Sequence, residues 1–294
     1  MSKAMILAAG FGTRLAPLSN ELPKPLVWVG DRPAIAHVAE RLVAAGIRDI
    51  VVNTHHRADA FSDAVLARIP GRLSIVSEAE ILGTGGGVAN AAPLLGDGDV
   101  VVWNGDILAP LDVTSLLEAH AKRPVGATLA IAPRPRGEGT VGVGAGGDIV
   151  RLRGERFGEE VSGGDFLGVS VVSAGLRRTL PIPGCLVGDG LMPWLRRGGP
   201  TATFATGGEW EDIGSVTAYL RANARWLAGS GRSAFVGRGA EVAPGVELIR
   251  SVVGEGAVVR GSGRVEGCVI WPGARAEAPA KDAVFTTGGL VVRG

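Results

Sequence analysis

Apolar and polar positions alternate in blocks along the first hundred residues. Residues 4–9 form an unbroken apolar run, the pattern of a parallel strand covered on both faces. Across residues 33–45, Ile35, Val38, Ala39, Leu42 and Val43 share one helical face, opened by Pro33 and closed by Gly46. Residues 47–52 read as a second strand, 58–69 as a second helix, 73–76 as a third strand, 86–95 as a third helix and 100–103 as a fourth strand. The order βαβαβαβ predicts an α/β fold with a doubly wound, mostly parallel sheet and crossovers of one hand. Ligands of such sheets sit at the carboxyl ends of the strands. The polar or glycine-rich segments at those ends begin at Gly10, Asn53, Glu78 and Asn104.

The rhythm changes after residue 235. Val236, Val242 and Leu248 recur every six residues, and Val253, Val259 and Val265 repeat the pattern after a one-residue slip. Such a degenerate hexapeptide rhythm predicts a short β-helix, each coil burying one apolar edge against the next. A set of small irregular antiparallel strands is the alternative. Glycine marks the boundary: 14 of the 47 glycines fall in residues 229–294, and Gly229-Ser230-Gly231 reads as a joint. The expected domains are therefore 1–228 and 229–294.

Composition narrows the function. The chain has 294 residues, 46% hydrophobic and 20% charged, which suits a sizeable core and excludes general disorder. Lys plus Arg is 30 against 29 for Asp plus Glu, so a dedicated nucleic-acid or acidic-membrane binder is not expected. No apolar stretch nears the ~20 residues of a membrane span, and the N-terminus does not read as a signal peptide, which makes cytoplasm the expected compartment. Cys185 and Cys268 lie far apart without metal-ligand spacing and read as buried small hydrophobes. His37, His55, His56 and His120 read as surface or packing residues.

The chemistry concentrates in Gly10-Phe11-Gly12-Thr13-Arg14, with Pro17 and Pro23-Lys24-Pro25 following. A glycine-containing loop at a strand end exposes N–H groups that wrap phosphate oxygens. Arg14 adds a forked donor and Lys24 a point charge. A dinucleotide fingerprint needs glycine at 15, where Leu15 stands, and a Walker loop needs Gly-Lys-Ser/Thr, which is missing. The plain alternative is an ordinary strand-to-helix turn with a surface Arg and Lys.

The whole string resembles the signature of the sugar-1-phosphate nucleotidyltransferases (NDP-sugar pyrophosphorylases). The resemblance continues through Leu82-Gly83-Thr84-Gly85-Gly86, Asn104-Gly105-Asp106, Phe166-Leu167-Gly168-Val169 and Trp210-Glu211-Asp212-Ile213-Gly214, covering roughly residues 4–228. It implies a Rossmann-like nucleotidyltransferase fold, here followed by a left-handed β-helix-like extension. It also implies a reaction: a sugar-1-phosphate oxygen attacks the α-phosphorus of a nucleoside triphosphate and pyrophosphate leaves. Such a site must align two mutually repelling anions and neutralise the developing charge, which is work for cations and a metal.

The resemblance implies that Asp106 and Asp212 hold Mg²⁺, that Arg14 meets the triphosphate and that Lys24 meets the phosphate under attack. It assigns nucleotide binding to Leu7, Ala8, Ala9, Gly10, Gly12 and Thr13, and base recognition to Glu78, Gly83 and Thr84. An ionised Glu78 only accepts hydrogen bonds, and guanine presents two adjacent donors where uracil and thymine present one, so GTP is favoured over UTP. Sugar contacts fall on Asn104, Gly142, Glu155 and Gly168. The chain departs from the family here: residues 150–156 hold arginines and no lysine where many members carry Glu-Lys-Pro. The expected reaction is GTP with mannose 1-phosphate or a related sugar. A uridylyltransferase for an amino-sugar 1-phosphate, a non-catalytic nucleotide-sugar-binding regulatory subunit and a transferase for another phosphorylated alcohol are the alternatives. The exposed edges of a β-helix require cover, so the extension is expected to dock on its own domain or on a second subunit as a homodimer.

Overall fold

The structure, a computed structural model, describes residues 3–294. The chain forms two compact units. One comprises the residues up to Gly10 with Val38–Trp210; the other comprises Phe11–His37 with Glu211–Gly294. The boundary expected at residue 228 instead falls at the end of the helix Val216–Gly229, inside the second unit.

The first unit is built on a ten-stranded sheet. Lys3–Leu7 lies in the middle, parallel to Asp49–Thr54 on one side and to Val100–Asn104 on the other, with Arg72–Ser77 parallel beyond Asp49–Thr54. All four strands predicted from the first hundred residues are present. The helix expected over 33–45 spans Ala34–Ala44. The helix expected over 58–69 shrinks to a 3₁₀ turn Ala58–Ala60 and a short helix Asp63–Leu66. The helix expected over 86–95 is two, Gly83–Asn90 and Ala92–Leu95, the second opened by Pro93. Beyond Val100–Asn104 the sheet turns antiparallel: Ser162–Val172 pairs with Val100–Asn104, with Ala127–Arg134 and with Val141–Val143. Between residues 134 and 162 the connections are too short for crossover helices, so the chain returns by hairpins, which are antiparallel. Met5, Val51, Val102, Leu129 and Val172 join one buried core with Leu176 and Leu191 from the covering helical segments.

The strand order contains a switch. From Lys3–Leu7 the chain builds outward to Arg72–Ser77, then crosses back to add Val100–Asn104 on the opposite side. Crevices at such switch points are where open α/β sheets hold ligands. Leu7 stands level with both Asn53 and Asn104 there, so the polar strand ends singled out in the sequence share one edge.

In the second unit the six-residue rhythm becomes a β-helix. Val236 stacks on Val253 and Val253 on Ile270; Val242 stacks on Val259 and Val259 on Ala276; Leu248 stacks on Val265. Three six-residue sides would repeat every eighteen residues, whereas stacked partners here lie 17 apart. The one-residue slip in the sequence thus shortens the coil from eighteen residues to seventeen. Val291–Arg293 folds back antiparallel on Ala283–Phe285 and ends the parallel stacking. The coils pack on the helix Val216–Gly229 of the same chain. Trp226 stands edge-on to Phe235 at 5.2 Å, and the buried Trp271 Nε1–H donates to the Tyr219 hydroxyl at 3.0 Å. Among the described residues no helix is long and apolar enough to cross a membrane.

One ion pair beside the sheet of the first unit contributes to its acid stability. Arg151 Nε and Nη2 donate to the two oxygens of Glu160 at 2.9 and 3.0 Å, and the Gly137 N–H adds a third bond at 2.8 Å. The arginine and that N–H bring the Glu160 carboxyl down from 4.5 to about 2. A carboxyl that ionises more readily in the folded chain stabilises it above the unfolded pKa and loses that contribution as pH falls through the folded one. The melting temperature should therefore drop between about pH 4.5 and 2, and Glu160→Gln, already destabilised at neutral pH, should show a shallower acid limb in thermal melts.

Candidate active site

In the first unit the strand ends are strapped together by one buried amide. Asn53 is 3% exposed. Its Oδ1 accepts the Ala8 N–H at 2.9 Å and its Nδ2 donates to Glu78 Oε1 at 2.8 Å. Glu78 Oε2 accepts the Leu82 N–H at 3.2 Å, and the Glu78 N–H donates to the Thr54 carbonyl. Glu78, expected to meet the edge of the base, is engaged here with the protein's own groups. Its carboxylate turns inward because a buried amide and a buried N–H would otherwise stand unpaired, at a cost of roughly 1–3 kcal/mol each. Ala8 and Ala9 are buried and the Ala8 N–H is taken by Asn53, so this N–H is not offered to phosphate. Leu7 is half-buried, and Gly10 is exposed with open space around its Cα.

The second glycine run serves close approach of backbone. Gly85 and Gly86 N–H groups donate to the Gly184 carbonyl at 2.8 and 2.9 Å, and Gly184 N–H returns a bond to Leu82. A Cβ on Gly83, Gly85 or Gly86 would meet backbone of residues 183–186 at 2.5–3.0 Å, and one on Gly87 would meet Asn53 Nδ2 at 2.7 Å. The Thr84 hydroxyl accepts the Leu186 N–H at 2.9 Å. Gly83 and Thr84 keep an exposed face. Residues 184–186 went unrecognised in the sequence, although Pro181-Ile182-Pro183-Gly184 is a turn signal. Cys185, expected to be buried, is half-buried there, with the Arg153 guanidinium 3.2 Å from its sulfur.

Asn104 and Gly168 come together. Gly168 has φ of 68°, and a side chain on it would strike the Asn104 amide nitrogen at 2.6 Å. Asp106 follows two residues beyond the Val100–Asn104 strand, in a turn fixed by the Gly105 N–H bond to Leu7 at 2.9 Å. Gly142 and Glu155 do not join them. Gly142 lies inside the sheet, paired with Arg151 on one side and Gly163 on the other, so its backbone faces neighbouring strands. Its missing side chain makes room for the Arg151–Glu160 pair. Glu155 stands on the edge strand, bound bidentately by Arg196. Arg151 is likewise committed to Glu160 and to the carbonyls of Glu138 and Gly139, which removes it as a replacement for the absent lysine.

The second unit gathers the charged residues. Gly12 takes the left-handed conformation at φ 65°, and a Cβ there would lie 2.8 Å from Lys24 Cγ. The 3₁₀ turn Thr13–Leu15 follows, burying Leu15 and leaving Thr13 and Arg14 exposed. Lys24 opens the turn Lys24–Leu26, and its side chain is only 9% exposed. Both cations face Asp212: Arg14 Nη2 is 3.2 Å from Oδ2 and Lys24 Nζ is 3.8 Å from Oδ1. Gly214 lets the guanidinium in, since a Cβ there would come within 2.8 Å of it. Asp212 is aimed by its neighbour. The buried Glu211 is clamped by Arg221 and Arg225 from the helix Val216–Gly229, with Arg221 Nε 2.8 Å and Arg225 Nη1 2.7 Å from Oε2.

Asp212 Oδ1 is buried and accepts no hydrogen bond. An ionised oxygen in that condition is what a hard divalent cation takes as ligand, and Mg²⁺ keeps several waters and needs only one or two carboxylates. The residue therefore fits a metal ligand, and among the described residues there is no cluster of three or more metal-binding side chains that would suggest a different centre.

Residues 3–153 match the family model described as nucleotidyl transferase. A mannose-1-phosphate guanylyltransferase from Mycobacterium tuberculosis is 28% identical over 94% of this chain and 81% of its own. An N-acetylmuramate alpha-1-phosphate uridylyltransferase from Neisseria meningitidis serogroup B is 33% identical over 78% of this chain and 99% of its own. The crystal structure of HddC from Yersinia pseudotuberculosis complexed with GMP-PN shares the fold, with a TM-score of 0.65, 24% identity and coverage of 77% of this chain and 100% of that one. The family match and these relatives agree with the glycine turn and paired cations: the chain belongs to the nucleotidyl transferase family, among the sugar-1-phosphate nucleotidyltransferases.

Proposed function

We propose that this enzyme makes GDP-mannose or a close relative from GTP and the sugar 1-phosphate, with Mg²⁺ and in the cytoplasm. The observation that carries the charge chemistry is the convergence of Arg14 and Lys24 on Asp212 while Oδ1 of that carboxylate accepts no hydrogen bond. Guanine and mannose are favoured because the Mycobacterium tuberculosis guanylyltransferase aligns over 94% of the chain, whereas the uridylyltransferase aligns over 78%. UTP with N-acetylmuramate 1-phosphate is the second reading, favoured by the higher identity of that relative, 33% against 28%.

The residues divide the work by exposure. Arg14, with a 70% exposed side chain, is free to turn from Asp212 to the β- and γ-phosphates and to hold the leaving pyrophosphate. Lys24 is buried along its stem and acts as a fixed charge beside the phosphate under attack. Gly10, Gly12 and Thr13 present backbone to the triphosphate, while Gly83 and Thr84 present theirs to the base. Asn104 and Gly168 flank the sugar. Asp212, with Asp106, would hold the cation, which when bound draws charge from the phosphate oxygens. The attacking sugar-phosphate oxygen forms its bond to the α-phosphorus as the bond to the bridging β-phosphate oxygen breaks.

Lys24→Ala and Arg14→Ala should each keep the far-UV circular dichroism of the parent and lose on the order of 10²–10³ in kcat, ~3–4 kcal/mol of transition-state stabilisation. Near-normal turnover in either would remove that residue from the mechanism. A pyrophosphate-release screen of four nucleoside triphosphates against a panel of sugar 1-phosphates should respond most to GTP with mannose 1-phosphate. It should stop on chelation and recover with Mg²⁺. A response confined to UTP and N-acetylmuramate 1-phosphate would establish the second reading.

A further inference from the structure

Glu21 is an acid placed, in sequence, between the two cations that handle phosphate. It ends the helix Leu18–Glu21, and its carboxylate turns to the last turn of the β-helix. The Thr286 hydroxyl donates to Oε1 at 2.6 Å and the Gly288 N–H donates to Oε2 at 3.0 Å. Thr286 is 1% exposed, and its hydroxyl oxygen also accepts the Leu290 N–H at 3.0 Å, which leaves its proton for Glu21. Gly288 is glycine for reasons of space. A Cβ there would lie 2.6 and 2.9 Å from the two carboxylate oxygens. The turn is braced by its own bonds, Thr286 N–H to the Leu290 carbonyl and Thr287 Oγ1 to the Pro272 carbonyl, each at 3.0 Å.

The helix that Glu21 ends supports the glycine turn. Ser19 is 1% exposed, and its Cβ lies 3.1 Å from the place a Gly12 side chain would fill, beside the stem of Lys24. Beyond Lys24 the chain is held again. The Tyr219 hydroxyl, which accepts from Trp271, donates to the Trp28 carbonyl at 2.5 Å, and Asn223 Oδ1 accepts the Gly30 N–H at 2.9 Å. Lys24 is thus bracketed by two anchors, each tied to the β-helix by a hydrogen bond.

We propose that the turn at residues 286–290 is a positioning element for nucleotidyl transfer: it holds Glu21, and through Glu21 it sets the Gly12–Arg14 turn and Lys24 against the triphosphate. Thr286, Gly288 and Glu21 are positioning residues, not catalytic ones. Their bonds also keep the carboxylate charge of Glu21 directed at two donors in a segment that must receive a polyanion. The inference rests on the reading of Arg14 and Lys24 given above.

The test uses the full chain, with pyrophosphate-release kinetics and melting temperatures measured side by side. Gly288→Ala and Glu21→Ala should each lower kcat about tenfold well below their melting temperatures, because small displacements of catalytic groups are costly. The double variant should lose no more than either single one, since both remove the same contact. Thr286→Val should lose turnover and Thr286→Ser should keep it. Thr287→Ala, in the same turn but facing Pro272, should match the parent in kcat. Parent-like kcat in Glu21→Ala and Thr286→Val, alongside a crippled Lys24→Ala, overturns the proposal. So do losses that only follow the folded fraction, or that add fully in the double variant. Parent-like kcat in Lys24→Ala overturns the reading of the site itself.

Discussion

A single carboxylate held between two cations organises the charged residues of the second unit. Lys24 is nearly buried, and an ammonium in that condition requires a nearby negative charge. Asp212 supplies it at 3.8 Å, and Arg14 closes on the other oxygen. The segment between the cations can fold only if Gly12 and Gly214 leave space for the lysine stem and the guanidinium. The shared carboxylate lets the two cations stand close without repelling each other apart. Their surroundings differ, since the arginine is open to solvent and the lysine is enclosed.

The strand ends of the first unit are organised by saturation of buried polar groups. Asn53 pairs the Ala8 N–H with the Glu78 carboxylate, and Glu78 in turn fixes the start of the helix Gly83–Asn90. They fix the carboxyl ends of the strands, so that the exposed backbone of Gly10, Gly83 and Thr84 has a defined position. The glycine run at 83–87 looks like a ligand cradle in the sequence, yet its smallness is required mainly by the backbone at 183–186 and by Asn53.

Much of this was legible beforehand. The apolar runs located the parallel strands, because strands covered on both faces need continuous hydrophobicity. The six-residue rhythm with its slip gave the coil of the β-helix. The family resemblance singled out Arg14, Lys24 and Asp212, which the fold brings within ion-pair distance. What position along a motif did not reveal were the internal partners of Glu78, Gly142 and Glu155. Whether a carboxylate faces a ligand or an arginine depends on its neighbours across the sheet, and Glu155 found Arg196 from 41 residues away. Nor did the sequence suggest that residues 11–37 and 211–228 would form a compact unit with the β-helix.

Local pattern alone therefore settled the fold class, the register of the β-helix and which residue types cluster at strand ends, because hydrophobic periodicity and glycine placement act through near neighbours. Tertiary structure decided which of the acids were already spoken for, which glycines serve space rather than substrate, and that Asp212 keeps one unbonded oxygen. Those outcomes turn on hydrogen bonds and ion pairs between residues as far apart as Arg14 and Asp212. Such pairings follow from packing in three dimensions, which no spacing along the chain encodes.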